Sequence, residues 1–394
     1  QAVNSSGAVL ISSSAVVLDR FIVDNPMNSF PDDARSSPVD GNRRPIQPER
    51  LFRLKNRTAG TVRGPDDHHL LPACALRAQA RDYINDEIFG EIEVPDIVSE
   101  ETRRATVKLI KENFVHLEQD RKLNIRAVRK MVDTIIDELI SNMNVLISLS
   151  DIRAFDDYTF AHSVNVCILS IMTGITAGYN DLQLKELGIG ALLHDIGKIN
   201  IDKAILNKPG ELNKKEFAEV KRHTVYGFNI LRQYDDVPLL SAHVALQHHE
   251  RWDGNGYPRQ LAGENIHEYA RIVAVADVYD ALLADRPYRS SYSVTQTLII
   301  LKRMCDIYLD SRFVTALISN IAIYPIGSIV QLNTGNIGIV IDVNKQQPTR
   351  PVIKIVYDGN SRRLCHPHEV DLTKLPTIVV SRTLSEEDIE DLHA

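Results

Sequence analysis

Little in this 394-residue chain speaks for a covalently stapled or membrane-spanning scaffold. The four cysteines, Cys74, Cys167, Cys305 and Cys365, lie far apart and form no CxxC pair. That argues against a zinc ribbon or disulfide framework and fits a reducing, cytoplasmic compartment. No run of about 18 or more apolar residues occurs, so no spanning helix is expected. The apolar stretch GAVLISSSAVVL near the start has no basic region ahead of it, which speaks against a signal peptide. Positive charge is also short: 45 Lys and Arg against 52 Asp and Glu leave a formal charge of −7. Such a balance gives no footprint for duplex nucleic acid. For an anionic substrate, metal ions or placed Lys and Arg would have to overcome that field locally. With 44% apolar and 25% charged residues, the rest is an ordinary globular composition, long enough for two or three domains.

Along the chain the pattern changes three times. Residues 1–98 form an N-terminal region of unknown fold; 1–23 could supply a strand pair, and about 24–75, holding seven of the 17 prolines and no Tyr or Trp, reads as irregular. Residues 99–149 are a helical lead-in, with Ser99 as a helix start and Val128, Met131, Val132, Ile135, Ile136, Leu139 and Ile140 on one amphipathic face. Residues 150–323 are an all-helical domain, with helices near 157–178, 181–194, 214–233, 239–250, 268–284 and 293–307; Asn213 and Glu216 stand in capping-box relation. Residues 324–394 change period. SIVQLN, IGIVIDV and VIKIVY alternate and are β-branched, separated by Thr334-Gly335-Asn336 and Asp358-Gly359. They predict a small β module, followed by an acidic helical turn at SEEDIEDL. The expected class is mainly α.

The helical block places histidines and aspartates where core residues belong. ALLHDIGK puts His194 and Asp195 at the end of an apolar helix, costly to bury unless paired or bound to a cation. A lone His-Asp pair is more often a hydrogen-bonded structural pair, but here it has company. His162 lies in YTFAHSVNV, His223 in VKRHTVYGFNIL, His248 and His249 follow one another in LQHHE, and Asp277 interrupts ARIVAVADVY. Neighbouring helical side chains point about 100° apart, so the double histidine cannot be absorbed by one core face. Together these residues offer nitrogen and oxygen ligands for two divalent ions sharing Asp195. Two such ions would activate a water and neutralise the oxygens of a phosphodiester as charge develops.

In that order, HDxGK, HHERWDGNGYP (His248 to Pro258), Asp277 and RPYR (Arg286 to Arg289) resemble the HD-GYP phosphodiesterases, a branch of the HD-domain metal hydrolases. The resemblance covers roughly residues 150–320. It implies hydrolysis of cyclic di-GMP to linear pGpG, with GMP as a further product, at two divalent ions, most often Fe or Mn. One ion would be held by His162, His194, Asp195 and Asp277, the other by His223, His248 and His249 with Asp195 bridging. Asp195 and Lys198 would be the catalytic pair, Lys198 bonding the scissile phosphate, while Tyr257, Arg286 and Arg289 would bind substrate. Expected partners are cyclic di-GMP, a second copy of the chain, and a diguanylate cyclase (GGDEF) domain docking on the GYP loop.

Two departures matter. Family members with a third metal carry Glu four residues before the first histidine; Tyr158 stands there, which favours a dinuclear site and linear product. At LDSRFV (Leu309 to Val314) the family tends to have Phe-Asp-Pro. Two other readings stay open: a non-catalytic cyclic di-GMP receptor, and a hydrolase of another cyclic dinucleotide such as cyclic GMP-AMP. His68 and His69 read as a solvated loop, His243 and Trp252 as packing, and His366 and His368 receive no role. Asp280, one turn beyond Asp277, reads equally as a helix-surface residue or as a group orienting a histidine.

Overall fold

The computed structural model describes residues 97–142, 158–208, 210, 212–284, 292–384 and 388, with backbone alone at Tyr158 and Thr159. The readings for 1–96, for 143–157, for Arg286 and Arg289 and for most of the acidic tail lie outside the described residues.

The chain enters through α1 (Glu100–Glu118) and α2 (Ile125–Ser141). Ser99 caps α1, its Oγ accepting from the Thr102 amide at 3.2 Å, and the Ser99 amide donates to Glu138 Oε2 at 2.6 Å, tying the start of α1 to the end of α2. Most of the predicted apolar face of α2 is buried: Val128, Val132, Ile135, Ile136 and Leu139 are at most 1% exposed, whereas Met131 is half-buried and Ile140 is exposed. Burying each such side chain is worth roughly 1.5–3 kcal/mol. That face lies against α3 (Tyr158–Thr176) and α4 (Asp181–Leu192). Helix α3 is the central element, buried on all sides from Ala161 to Gly174.

A 3-10 turn, Ile196–Asn200, and the short α5 (Lys203–Leu206) follow α4. The expected helix 214–233 is two helices, α6 (Lys214–Lys221) and α7 (His223–Leu231), separated by Arg222. No Gly or Pro announces this break; it falls where the 196–200 turn presses on the backbone of His223 and Gly227. The Asn213–Glu216 capping box at the head of α6 is present as expected. Helix α8 (Leu239–Gln247) packs on α4 and α7, and α9 (Glu268–Leu283) packs on α3 and α8. Helices α10 (Val294–Met304) and α11 (Ser311–Ile318) close the far side of α9.

The C-terminal module is an antiparallel sheet of β1 (Ile329–Leu332), β2 (Ile337–Asp342), β3 (Val352–Tyr357), β4 (Arg363–Asp371) and β5 (Val380–Thr383), ordered β4-β3-β2-β1-β5. The three expected strands are β1 to β3. Their alternation builds a core of Val330, Leu332, Val340, Ile353 and Ile355, closed by Leu372. Sequence reading missed β4 and β5 because both are edge strands with mostly exposed side chains, so neither alternates. His366 and His368 belong to β4. Among the described residues no helix is long and apolar enough to cross a membrane.

Candidate metal centre

Four elements and one turn carry the predicted ligands to one place. His162 comes from the second turn of α3, His194 and Asp195 from the residues after α4, His223 from the head of α7, His248 and His249 from the end of α8, and Asp277 from the middle of α9. They fall into two groups whose ligand atoms lie within 4.8 Å of one another: Asp195, His223, His248 and His249 in one, His162, His194 and Asp277 in the other. All seven side chains are buried, none more than 9% exposed. Asp195 stands between the groups: its Oδ2 is 3.3 Å from His194 Nε2, and its Oδ1 is 3.5 Å from His223 Nε2 and 3.9 Å from His248 Nε2.

The histidines are aimed by a single device. The last carbonyls of a helix have no intrahelical partner, and three ligand histidines sit just past such an end. His194 Nδ1 meets the Ala191 carbonyl at 2.7 Å, His223 Nδ1 the Val220 carbonyl at 2.6 Å, and His248 Nδ1 the Val244 and Ala245 carbonyls at 3.1 Å. A carbonyl can only accept, so Nδ1 carries the proton and the Nε2 lone pair faces the centre. His162 lies in the second turn of α3, not past a helix end. Asp280 takes its place, accepting from His162 Nδ1 at 2.6 Å, and is itself held by Asn165 Nδ2 at 2.8 Å. Asp280 is 2% exposed, which decides between the two sequence readings: it orients a histidine. Asn165 went unnoticed in the sequence, although its place one turn after His162 on a buried helix was a signal.

Electrostatics fit the same picture. Burial, reinforced by neighbouring imidazoles, pushes His248 down to about 3. Burial also takes His223 down to about 4, against the pull of Asp195. His249 is held well below the usual range by burial and by His248 and His223. These rings are neutral at pH 7, the form that ligates metal. Burial would raise the Asp195 carboxyl, but the Lys198 ammonium and the neighbouring His194 ring outweigh it and hold it well below the carboxylate range. At His162 burial is outweighed by Asp277 and Asp280, and the ring is pushed up to about 10. His162 Nε2 stands 3.1 Å from Asp277 Oδ1, an imidazole and a carboxylate that could share a cation. Two fully buried atoms, His194 Nε2 and Asp195 Oδ1, have no hydrogen-bond partner. Leaving such atoms unsatisfied costs about 1–3 kcal/mol each, and ligation to an ion would remove that cost. The residues fit divalent metal.

Close packing fixes the geometry. Lys198 donates to Asp195 Oδ2 from three residues on. A Cβ on Gly197 would stand 1.9 Å from the His223 carbonyl oxygen and 2.4 Å from the Gly227 amide, so only glycine lets the HDIGK turn touch the head of α7. A Cβ on Gly256 would lie 2.4 Å from the Arg251 amide and 2.6 Å from the His249 carbonyl oxygen; the GYP loop is folded tightly onto its own HHE segment. Glu250 holds it there, accepting from the Arg259 amide at 2.7 Å and the Leu261 amide at 3.0 Å. Tyr257 is 8% exposed, its ring 4.8 Å from that of His249. Trp252 lies near the Arg271 guanidinium and bonds the Tyr308 carbonyl through its amide. His243 packs on Phe228, away from both ligand groups.

Known proteins are similar to parts of this chain. A family model described as HD domain matches residues 150–313, and one described as KOW domain associated with HD domain matches residues 329–392. A cyclic di-GMP phosphodiesterase of Pseudomonas aeruginosa is 37% identical over 61% of this chain and 58% of its own length. A cyclic di-GMP phosphodiesterase of Thermotoga maritima is 43% identical over 39% of this chain and 42% of its own. A 3'3'-cGAMP-specific phosphodiesterase of Vibrio cholerae is 35% identical over 44% of this chain and 38% of its own. The chain thus spans about half the length of the curated relatives it matches.

Proposed function

We propose that the chain is a metal-dependent phosphodiesterase of cyclic dinucleotides, with cyclic di-GMP the favoured substrate; its residues 150–313 match a family model described as HD domain. The observation that carries this reading is Asp195, with one carboxylate oxygen toward each of two buried ligand groups. That arrangement suits two divalent ions, Fe or Mn, one on His162, His194, Asp195 and Asp277 and one on His223, His248, His249 and Asp195. When bound, such ions supply a water of lowered pKa and neutralise phosphoryl oxygens. The chain's own groups do the rest. Asp280 and the helix-end carbonyls hold the imidazoles in the ligating tautomer, so little reorganisation is needed as charge develops. Lys198, fixed at Asp195, places a compact cationic donor where a scissile phosphate would lie. Arg286 and Arg289 would bind the phosphates as guanidinium forks. Tyr158 in place of Glu favours two ions and linear pGpG as product.

A complete ligand set speaks against a receptor that has lost chemistry. Cyclic GMP-AMP is the second substrate to try, because a relative 35% identical is named for it. The deciding experiment is turnover of cyclic di-GMP and cyclic GMP-AMP by anaerobically purified protein loaded with Mn or Fe, with products separated by chromatography. Cyclic di-GMP should be linearised, and Asp195→Ala should abolish turnover. No hydrolysis of either dinucleotide with any divalent ion would sink the reading.

A further inference from the structure

The metal centre and Lys198 serve the scissile phosphate, but a cyclic dinucleotide carries two, and the proposed Arg286 and Arg289 lie outside the described residues. We propose that Lys221 is a further substrate-binding residue, whose ammonium takes the second, non-scissile phosphate; the inference rests on the phosphodiesterase reading. Lys221 closes α6, two residues before His223. Its Nζ lies 5.0 Å from the ring centroid of Tyr257 and 4.7 Å from that of Phe217, and the Tyr257 ring is 4.8 Å from that of His249. Lys221 therefore borders one ligand group: it precedes His223 by two residues, and its ammonium lies against the Tyr257 ring that packs on His249. Sharing two ring faces restrains a long side chain that would otherwise lose much rotamer entropy on meeting a ligand.

The same contacts reassign Tyr257. At 8% exposure, with a histidine and an ammonium against it, its ring has little area left for stacking a base. It acts instead as the platform against which the Lys221 ammonium rests. A compact ammonium suits a single phosphate oxygen, and a chain of net charge −7 needs such local cations to hold a dianion. A substrate with one phosphodiester has nothing for Lys221 to bind, so the residue discriminates between substrate classes.

The test compares wild type, Lys221→Met and Lys221→Arg as full-length, metal-loaded protein, using cyclic di-GMP and the single diester bis(p-nitrophenyl) phosphate. Methionine keeps the apolar stem against Phe217 and Tyr257, and metal content is measured alongside. For Lys221→Met the ratio of kcat/KM for cyclic di-GMP to that for the single diester should fall about tenfold, a typical charge-assisted contact, chiefly through KM. Lys221→Arg should recover most of it. An unchanged ratio would overturn the assignment, whether both rates stay or fall together. If wild type binds cyclic di-GMP without hydrolysing it, the phosphodiesterase reading fails. The Lys221 assignment then stands or falls on a tenfold rise in Kd by calorimetry for Lys221→Met. If wild type neither binds nor cleaves it, both are lost.

Discussion

Asp280 acts on the centre through His162. A carboxylate on Nδ1 fixes the ring and raises the basicity of Nε2, and losing such a partner typically costs about 10–100-fold in metal affinity. Asp280→Asn retains shape and the link to Asn165 while removing the charge. The expected result is an intact fold by circular dichroism with metal affinity lowered about tenfold or more in competition with a chelator; equal affinity would contradict the role. The residues that the fold gathers into two groups were legible in the sequence because they stand where core residues belong, Asp277 in ARIVAVADVY most clearly. Their orienting partners were not. A carbonyl at Ala191 or Val220 becomes a partner only because the helix ends there, and helix ends are the least certain part of a periodicity reading. Asp280 stayed balanced between two roles because one helix turn cannot say whether α9 is covered on its second face. The fold covers it with α3.

Between residues and fold stand elements held by single side chains. The segment before α11 departs from the family pattern at LDSRFV, yet its Asp310 does clear structural work. Its carboxylate accepts from Arg271 Nη1 on α9 at 2.8 Å and from Arg312 Nη2 at 2.8 Å, and it caps α11 through the Arg312 amide at 3.0 Å. Arg271 in turn lies by Trp252 and Phe313, and the Trp252 and Asp253 amides bond the Tyr308 and Ile307 carbonyls. Thus the GYP loop is anchored to the stretch that Asp310 locks to α9. Burial alone would raise this carboxyl, but the bonds and charge of Arg312 and the charge of Arg271 hold it below the usual range. A group whose folded pKa is depressed stabilises the fold fully above its unfolded value, near 4, and loses that contribution as pH falls through the folded value. Because it removes the charged partner of Arg271, Asp310→Asn should cost on the order of 3 kcal/mol at pH 7. In thermal melts at stepped pH its Tm deficit should shrink steadily below about pH 4. A deficit that stays constant down to pH 2 would mean that packing, not charge, is at stake. Elements themselves were read well where burial is one-sided, as in α2 and β1 to β3. The division at Arg222 escaped because the cause, the 196–200 turn, is distant in sequence, and β4 escaped because a strand exposed at a sheet edge leaves no alternation.

For the whole molecule the consequence is that metal and fold are linked. The ligands come from α3, from the turn after α4, from the head of α7, from the end of α8 and from α9, and no two of those segments are neighbours through the chain by less than several residues. An unfolded chain cannot assemble this set, so ions bound only by the folded form stabilise it by mass action, about 2.7 kcal/mol for each ion at a hundredfold excess over its Kd. For a domain of this size that corresponds to roughly 5–10 °C in Tm per ion. Removing the ions by exhaustive chelation should lower Tm by that amount for each one lost, and readdition of Mn or Fe should restore it. The two-group geometry makes a second demand on the same sample. His162→Ala touches one ligand group and His223→Ala the other, so each should release one equivalent of metal per chain. Asp195→Ala should weaken both sites, because one carboxylate oxygen faces each group. Elemental analysis of the three variants beside wild type distinguishes this from a mononuclear centre, in which at least one of the two histidine variants would keep the full wild-type metal content and Asp195→Ala would lose no more than the other.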